Sequence, residues 1–181
     1  MNAIRAAVLT VSDRCSRGEA EDRSGPALAA MLCERLAAEI VETVCVPDEV
    51  ERIECALRNW AEPVRRIDLA VTTGGTGLAP RDVTPEAAMR VIERPHAGLM
   101  ELARARCLSI TPRAYLSRGV AGVAGRTLIL TLPGSVRGAT EQLAALLDVL
   151  PHAVETLRGE VQDDGRADAK PTSGRVVMHG D

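Results

Sequence analysis

The stretch TTGGTGLAPRDVTPEA (Thr72 to Ala87) sets Gly74, Gly75 and Gly77 directly after an apolar run and follows them with a lone aspartate, Asp82. Glycines at a strand end let backbone N–H groups turn toward an anion with no Cβ in the way. The start of a following helix adds its positive dipole end. A tight strand-to-helix turn often needs only one glycine, so this density favours a phosphate cradle. The pattern is neither a Walker A sequence nor a dinucleotide fingerprint, and on spacing alone the plain turn stays open. Asp82 adds weight to the first reading. Thr84 and Pro85 form a good N-cap and first-turn pair for the next helix, which leaves Asp82 without that task. A carboxylate beside a phosphate cradle is repulsive unless a divalent cation lies between them, and Mg²⁺ takes one or two carboxylates plus substrate phosphates. Asp48, in PDEVE, has two compatible readings: an N-cap answered by Glu51, or a second acidic group in the same layer as Asp82.

Such groups need a frame that brings strand ends together. Ile4–Ser12, Ile40–Val46, Ile67–Thr73 and Arg126–Leu132 are short apolar runs that read as buried strands. Between them, Leu28, Met31, Leu32 and Leu36 recur at helical spacing after Pro26, as do Val50, Ile53, Leu57 and Trp60 after Pro47. Further helices are expected from about Pro85, over Gly98–Cys107, and through Leu143, Leu146, Leu147, Leu150, Val154 and Leu157. Ile110–Gly125 reads as a short strand or a loop with a glycine turn. Alternating strands and helices predict an α/β domain with a mostly parallel sheet, whose ligands gather outside the carboxyl ends of the strands. Residues 1–159 form that domain. The polar, aperiodic stretch 160–181 is expected to be a disordered tail.

The chain has 181 residues, 46% of them hydrophobic but only 1% aromatic, so the core must come from Val, Leu, Ile and Ala. That scarcity, with a net charge of −3, argues against nucleic acid as a partner. No apolar run is long enough to span a membrane. Five cysteines without a C-x-x-C pair, and no signal segment, predict reduced thiols in a cytoplasmic protein without a cysteine zinc site. His96, His152 and His179 form no ligand cluster. Ser12, Asp13 and Ser16 stand after the first strand and could bind a ligand or form side-chain turns. Arg81 and Arg118 are candidate phosphate partners. Trp60 is expected to pack between helix and sheet.

The motifs TVSDRCSRGEAEDRSGP, VPDEVERI, TTGGTGLAPRDVTPEA, LSRGVAG and LPGS, in this order, resemble the molybdopterin adenylyltransferase family, which includes Mog-type enzymes and gephyrin G domains. The resemblance runs from about Ala3 to Gly159. It implies a three-layer α/β/α fold of the molybdopterin-binding type, usually a homotrimer. It implies transfer of AMP from ATP to the terminal phosphate of molybdopterin, with Mg²⁺, releasing pyrophosphate, and hand-off of the product to a molybdenum-insertion protein. The family's catalytic aspartates, which also serve as metal ligands, fall on Asp48 and Asp82. Its nucleotide loop falls on Gly74, Gly75, Thr76 and Gly77, with the turn Pro133, Gly134 and Ser135. Ser12, Asp13, Ser117 and Arg118 match positions near the pterin. Two departures stand out: Val136 where many relatives have proline, and Ala97-Gly98 where many have Pro-Gly.

The chemistry suits residues without a pocket histidine. A phosphate monoester has a second pKa of about 6 and is already a nucleophile near neutral pH. It needs relief from charge repulsion, which carboxylate-held metal and backbone N–H groups supply. Two rivals share the fold: a non-catalytic molybdopterin-binding or scaffolding protein, and a molybdate-insertion enzyme, whose domains usually sit in longer chains.

Overall fold

Four apolar runs pair side by side in one register, and that pairing organises the chain. The computed structural model describes residues 3–160. Its sheet has six strands in the order β2-β1-β3-β6-β5-β4. Strands β1 (Arg5–Val11), β2 (Glu39–Val46), β3 (Leu69–Thr73) and β6 (Thr127–Leu132) run parallel. Strands β5 (Ala121–Ala124) and β4 (Arg94–Pro95) add an antiparallel edge. The expected mostly parallel α/β sheet is therefore what the chain forms.

Alternate residues of the central strands enter opposite cores, as the period of two requires. Ala6, Val8, Leu69, Val71, Leu128 and Leu130 face one cluster, closed by Leu28 and Leu32 of α2 (Ser24–Leu36), Met100 of α5 (Ala97–Cys107) and Leu143 of α6 (Val136–Ala144). Ala7, Leu9, Ala70 and Ile129 face the other, closed by Ile53, Leu57 and Trp60 of α3 (Val50–Ala61) and by Ala87 and Ala88 of α4 (Thr84–Met89). The result is three layers. Trp60 packs as expected, 2% exposed, and its indole N–H donates to Glu42 at 2.8 Å.

Several local expectations change. The polar loop after β1 contains a four-residue helix, α1 (Asp13–Ser16), capped by Ser12, whose Oγ accepts from the Cys15 N–H at 3.2 Å. Helix α2 starts at Ser24 rather than Pro26, because the Asp22 carboxylate accepts from the Gly25 N–H at 3.0 Å. The ambiguous stretch 110–125 holds a 3₁₀ turn (Pro112–Leu116) and then β5. Helix α4 is capped at Val83, not Thr84; Thr84 lies inside the first turn, buried, with its hydroxyl unpartnered. Both family departures, Val136 and Ala97, open helices, at the position where proline's missing N–H costs nothing. Of the tail expected over 160–181, only Glu160 is among the described residues.

At the foot of the sheet, Asp68 accepts from the Arg5 N–H at 2.9 Å and from Arg158 of α7 (Leu150–Arg158) at 2.6 and 3.0 Å. The Asp68 and Arg158 side chains are 13% and 9% exposed. Removing Asp68 takes the nearest carboxylate from a desolvated guanidinium, which keeps Glu160 at 3.7 Å, and takes the acceptor from the Arg5 N–H. Asp68→Ala should lose about 3 kcal/mol in urea denaturation, whereas Glu19→Ala, in an exposed ion pair with Arg17, should leave the midpoint unchanged.

Candidate active site

The parallel register ends four strands at one level: Val11 pairs with Val46, Thr10 with Thr73, and Thr73 with Leu132. The residues just beyond them therefore meet. Ser12 and Asp13 follow β1, Asp48 follows β2, Gly74 to Gly77 follow β3, and Pro133 to Ser135 follow β6.

The glycine loop is held from behind and left open in front. Gly74 is buried with φ +104°, and a Cβ there would stand 2.1 Å from the Val11 carbonyl oxygen. Its N–H is spent on the Leu132 carbonyl at 3.2 Å, and the Thr73 hydroxyl donates to the Pro133 carbonyl at 2.7 Å. Gly75 has φ +60°, and a Cβ would meet the Thr84 hydroxyl at 2.4 Å and Asp48 Oδ1 at 3.1 Å. Gly134 packs on the other side, where a Cβ would lie 3.0 Å from the Gly74 Cα. Among the described residues, the N–H groups of Gly75, Thr76 and Gly77 donate to no protein acceptor. Three successive free amides are what an anion cradle requires.

Arg118 braces this loop. Its backbone N–H donates to the Thr76 carbonyl at 2.8 Å and its Nε to the Gly77 carbonyl at 2.7 Å, while the guanidinium also reaches the Asp82 carbonyl and Glu86. Ser117 lies beside it, its Oγ 3.2 Å from Thr76 Oγ1. Ser135 caps α6, accepting from the Gly138 N–H at 3.1 Å.

Asp13 and Asp48 lock their two loops reciprocally. The Asp13 N–H donates to Asp48 Oδ2 at 2.8 Å, and the Asp48 N–H donates to Asp13 Oδ1 at 3.1 Å. Asp48 does not cap α3; that position is Glu49, which makes no side-chain cap bond, so the Glu51 capping box is absent. Arg81 binds Asp13 through Nε at 3.0 Å and Nη2 at 2.7 Å, engaged by a carboxylate rather than left free. That hydrogen bond holds the Asp13 carboxyl below its usual range. Asp48 is pushed up, chiefly by burial, with the charges of Asp13 and Asp82 adding to the shift. Asp82 uses Oδ2 to accept from the Ala79 N–H at 2.8 Å. A Cβ on Gly77 would stand 2.8 Å from the same oxygen.

Among the described residues, neither Asp48 Oδ1 nor Asp82 Oδ1 accepts a hydrogen bond. Each carboxylate thus keeps one oxygen for a ligand. No three His, Cys, Asp or Glu side chains among the described residues form a metal cage. The donor set fits Mg²⁺ bound by two carboxylates with substrate phosphates completing its shell.

Two cavities flank the loop. One of about 410 Å³ is lined by Ser12, Asp48, Gly74, Gly75, Gly134 and Ser135. The other, about 460 Å³, is lined by Thr76, Gly77, Ser117, Pro133 and Ser135, with Ile110 and Leu116 as apolar walls. Asp13, Asp82 and Arg118 lie on neither wall. Asp22 is a site neighbour that the sequence reading passed over: it lines the smaller cavity and accepts from the Thr10 hydroxyl at 2.6 Å. Its signal was the Asp-x-x-Gly spacing at the start of α2.

Residues 7–152 match the family described as "Probable molybdopterin binding domain". The chain is 42% identical to gephyrin of Dictyostelium discoideum, over 95% of this chain but only 24% of that protein, so it spans about a quarter of that relative. It is 39% identical to molybdopterin adenylyltransferase of Helicobacter pylori strain J99, over 88% of this chain and 90% of the relative. Among solved structures it resembles the molybdopterin biosynthesis enzyme MoaB of Thermus thermophilus, with a TM-score of 0.81, 50% identity, and coverage of 86% and 97% of the two chains. All five cysteines are free thiols, and among the described residues no helix is long and apolar enough to cross a membrane.

Burial makes the charged form of Asp48 costly in the folded state, and the cost disappears as pH falls through its raised folded pKa. Asp48→Asn keeps an oxygen for the Asp13 N–H. The variant should melt at or above the wild-type temperature at pH 7.5, with the difference closing toward pH 4. Thermal melts across that range check it; a large loss at pH 7.5 would mean that the charge itself stabilises the loops.

Proposed function

The chain belongs to the molybdopterin-binding domain family, and from that premise we propose that it is a molybdopterin adenylyltransferase. It transfers AMP from ATP to the terminal phosphate of molybdopterin and releases pyrophosphate. The observation that carries this reading is the run of three unpartnered amides, Gly75 to Gly77, set between two cavities and beside two carboxylates with free oxygens. One cavity for each substrate, with a phosphate cradle between them, is the arrangement that joining two phosphates requires.

A terminal phosphate oxygen of molybdopterin forms a bond to the α-phosphorus of ATP, and the bond from that phosphorus to the bridging oxygen of pyrophosphate breaks. The nucleophile is already dianionic near neutral pH and gives up no proton. The chain's work is positional and electrostatic. The amides of Gly75, Thr76 and Gly77 take up negative charge on the phosphates as it redistributes. Asp48 and Asp82 would hold Mg²⁺ through their free Oδ1 atoms, and the ion would supply neutralisation between the two phosphate groups. Of the four residues that match family positions near the pterin, Ser12 lines the smaller cavity and Ser117 the larger, so only one of them faces the pterin ring, while Asp13 and Arg118 brace the loops. Gly74 and the turn Pro133–Ser135 keep the cradle's shape. Two aspartates beside the cradle, Asp82 on its own loop and Asp48 on the loop after β2, favour an enzyme over a scaffolding protein.

The proposal includes a homotrimer in the cytoplasm and hand-off of the adenylated pterin to a molybdenum-insertion protein. Leu108 and Tyr115, 51% and 55% exposed and outside the two cavities, supply apolar surface for a neighbouring subunit. Light scattering should give three times the chain mass; a monomer would remove the trimer from the account and leave the reaction standing.

Incubation with molybdopterin, ATP and Mg²⁺ should yield an AMP-linked pterin and pyrophosphate, detected by mass spectrometry. Asp82→Asn should fold and bind pterin but lose roughly a hundredfold or more in turnover, on the scale of removing one electrostatic group from a transition state. Turnover like the wild type's would remove Asp82 from the machinery.

A further inference from the structure

Gln142 has no task in the fold. It lies on α6, one turn after Gly138 and between the fully buried Ala139 and Leu143, and is itself 2% exposed. Its Oε1 is buried with no hydrogen-bond partner, and its Nε2 donates to no protein group among the described residues. A buried carboxamide oxygen without a partner costs folding free energy that a leucine in the same space would not. Gln142 also lines the cavity of about 460 Å³, the one that opens on Thr76 and Gly77 of the phosphate cradle. Ile110 and Leu116 give that cavity apolar walls, and Ser117 and Ser135 add hydroxyls near the loop.

A pocket with apolar walls at Ile110, Ala114 and Leu116 and one unpaired carboxamide suits a flat heterocycle, and Arg113, Arg137 and Glu141, which also line it, give it a charged side. A carboxamide offers an acceptor and two donors side by side, and so pairs with a ring edge that carries a donor next to an acceptor. The pyrimidinone edge of a pterin has that pattern, and so does an adenine, which glutamine and asparagine read in nucleic-acid complexes. With no protein bond to fix it, the amide can turn over to present either order of donor and acceptor.

We propose that Gln142 is a specificity-determining residue that reads the donor–acceptor edge of a substrate's fused nitrogen ring, with that ring seated in the larger cavity. This rests on the adenylyltransferase reading, which supplies two substrates with such a ring.

Two probes separate them: 6-hydroxymethylpterin, followed by its own fluorescence, and α,β-methylene-ATP with MgCl₂, followed by calorimetry. Gln142→Leu should weaken one probe by roughly ten- to a hundredfold, the loss expected when a buried ring edge is left unpaired. The other probe should stay within twofold, and the melting temperature should hold or rise. The probe that suffers identifies the ring. In the wild-type protein labelled with ¹⁵N, the Gln142 side-chain NH₂ signals should shift with that same probe, a readout that needs no variant. Affinities within twofold for both probes, equal losses for both, or unmoved NH₂ signals would overturn the assignment while leaving the adenylyltransferase reading intact. A wild-type protein that binds neither probe would overturn both.

Discussion

The site depends on four parallel strands ending at one level and on the residue that locks two of those ends together. Gly74 does this locking. Its N–H ties the β3 end to the β6 carbonyl of Leu132, and its missing Cβ lets it pass within contact of the Val11 carbonyl on β1. No other residue type has both the left-handed backbone freedom and the absence of a side chain that this position demands. Once Gly74 is spent on structure, the next three amides have nowhere to donate inside the protein. A parallel sheet places its strand ends where ligands gather; here the same pairing that builds the sheet leaves the donors that a phosphate needs.

Around those donors the chain sets acidic groups, which is an unfavourable neighbourhood for an anion. Asp13 is neutralised by Arg81 and used to join the β1 and β2 loops. Asp48 stays partly desolvated and pushed up. Asp82 is tied at one oxygen to its own turn. In the proposed reaction, a divalent cation arriving with the substrate phosphates would offset the charges of Asp48 and Asp82 together. Arg81 and Arg118, by contrast, are engaged by carboxylates and carbonyls. Arg118, expected as a phosphate partner, does its visible work on the Thr76, Gly77 and Asp82 carbonyls. At the loop itself, the donors left for an anion are the amides of Gly75, Thr76 and Gly77 rather than the guanidinium groups of Arg81 and Arg118.

How much of this was legible in the residues depends on the range of the interaction. Val, Leu and Ile runs marked β1, β3 and β6, since burial on both faces leaves a continuous apolar signature, and the β-branched run of the half-buried outer strand β2 marked it too. The antiparallel strands left none: β4 is two exposed residues, and β5 is mostly Ala and Gly. Thr84-Pro85 had the composition of a cap, yet Thr84 is drawn inward behind Gly75, and no local pattern carries that packing. Asp48 likewise suited a capping box, but its partner is the Asp13 amide 35 residues away. The glycine loop and both aspartates were found because their types and order are specific. Gln142 was hidden because a single glutamine in an amphipathic helix looks solvated until its burial is seen.

The proposed reaction takes its substrates from the family relatives, and the loop geometry supplies the means by which this chain would carry it out. The central claim is that Gly75, Thr76 and Gly77 offer their N–H groups to phosphate while Gly74 does not. Amide ¹H–¹⁵N spectra recorded as α,β-methylene-ATP and MgCl₂ are added test it directly. The three amides should move strongly downfield with a common binding curve, and Gly74, already bonded to Leu132, should move little. Unmoved signals at Gly75 to Gly77 on a protein that binds the nucleotide would place the phosphates elsewhere and contradict the account.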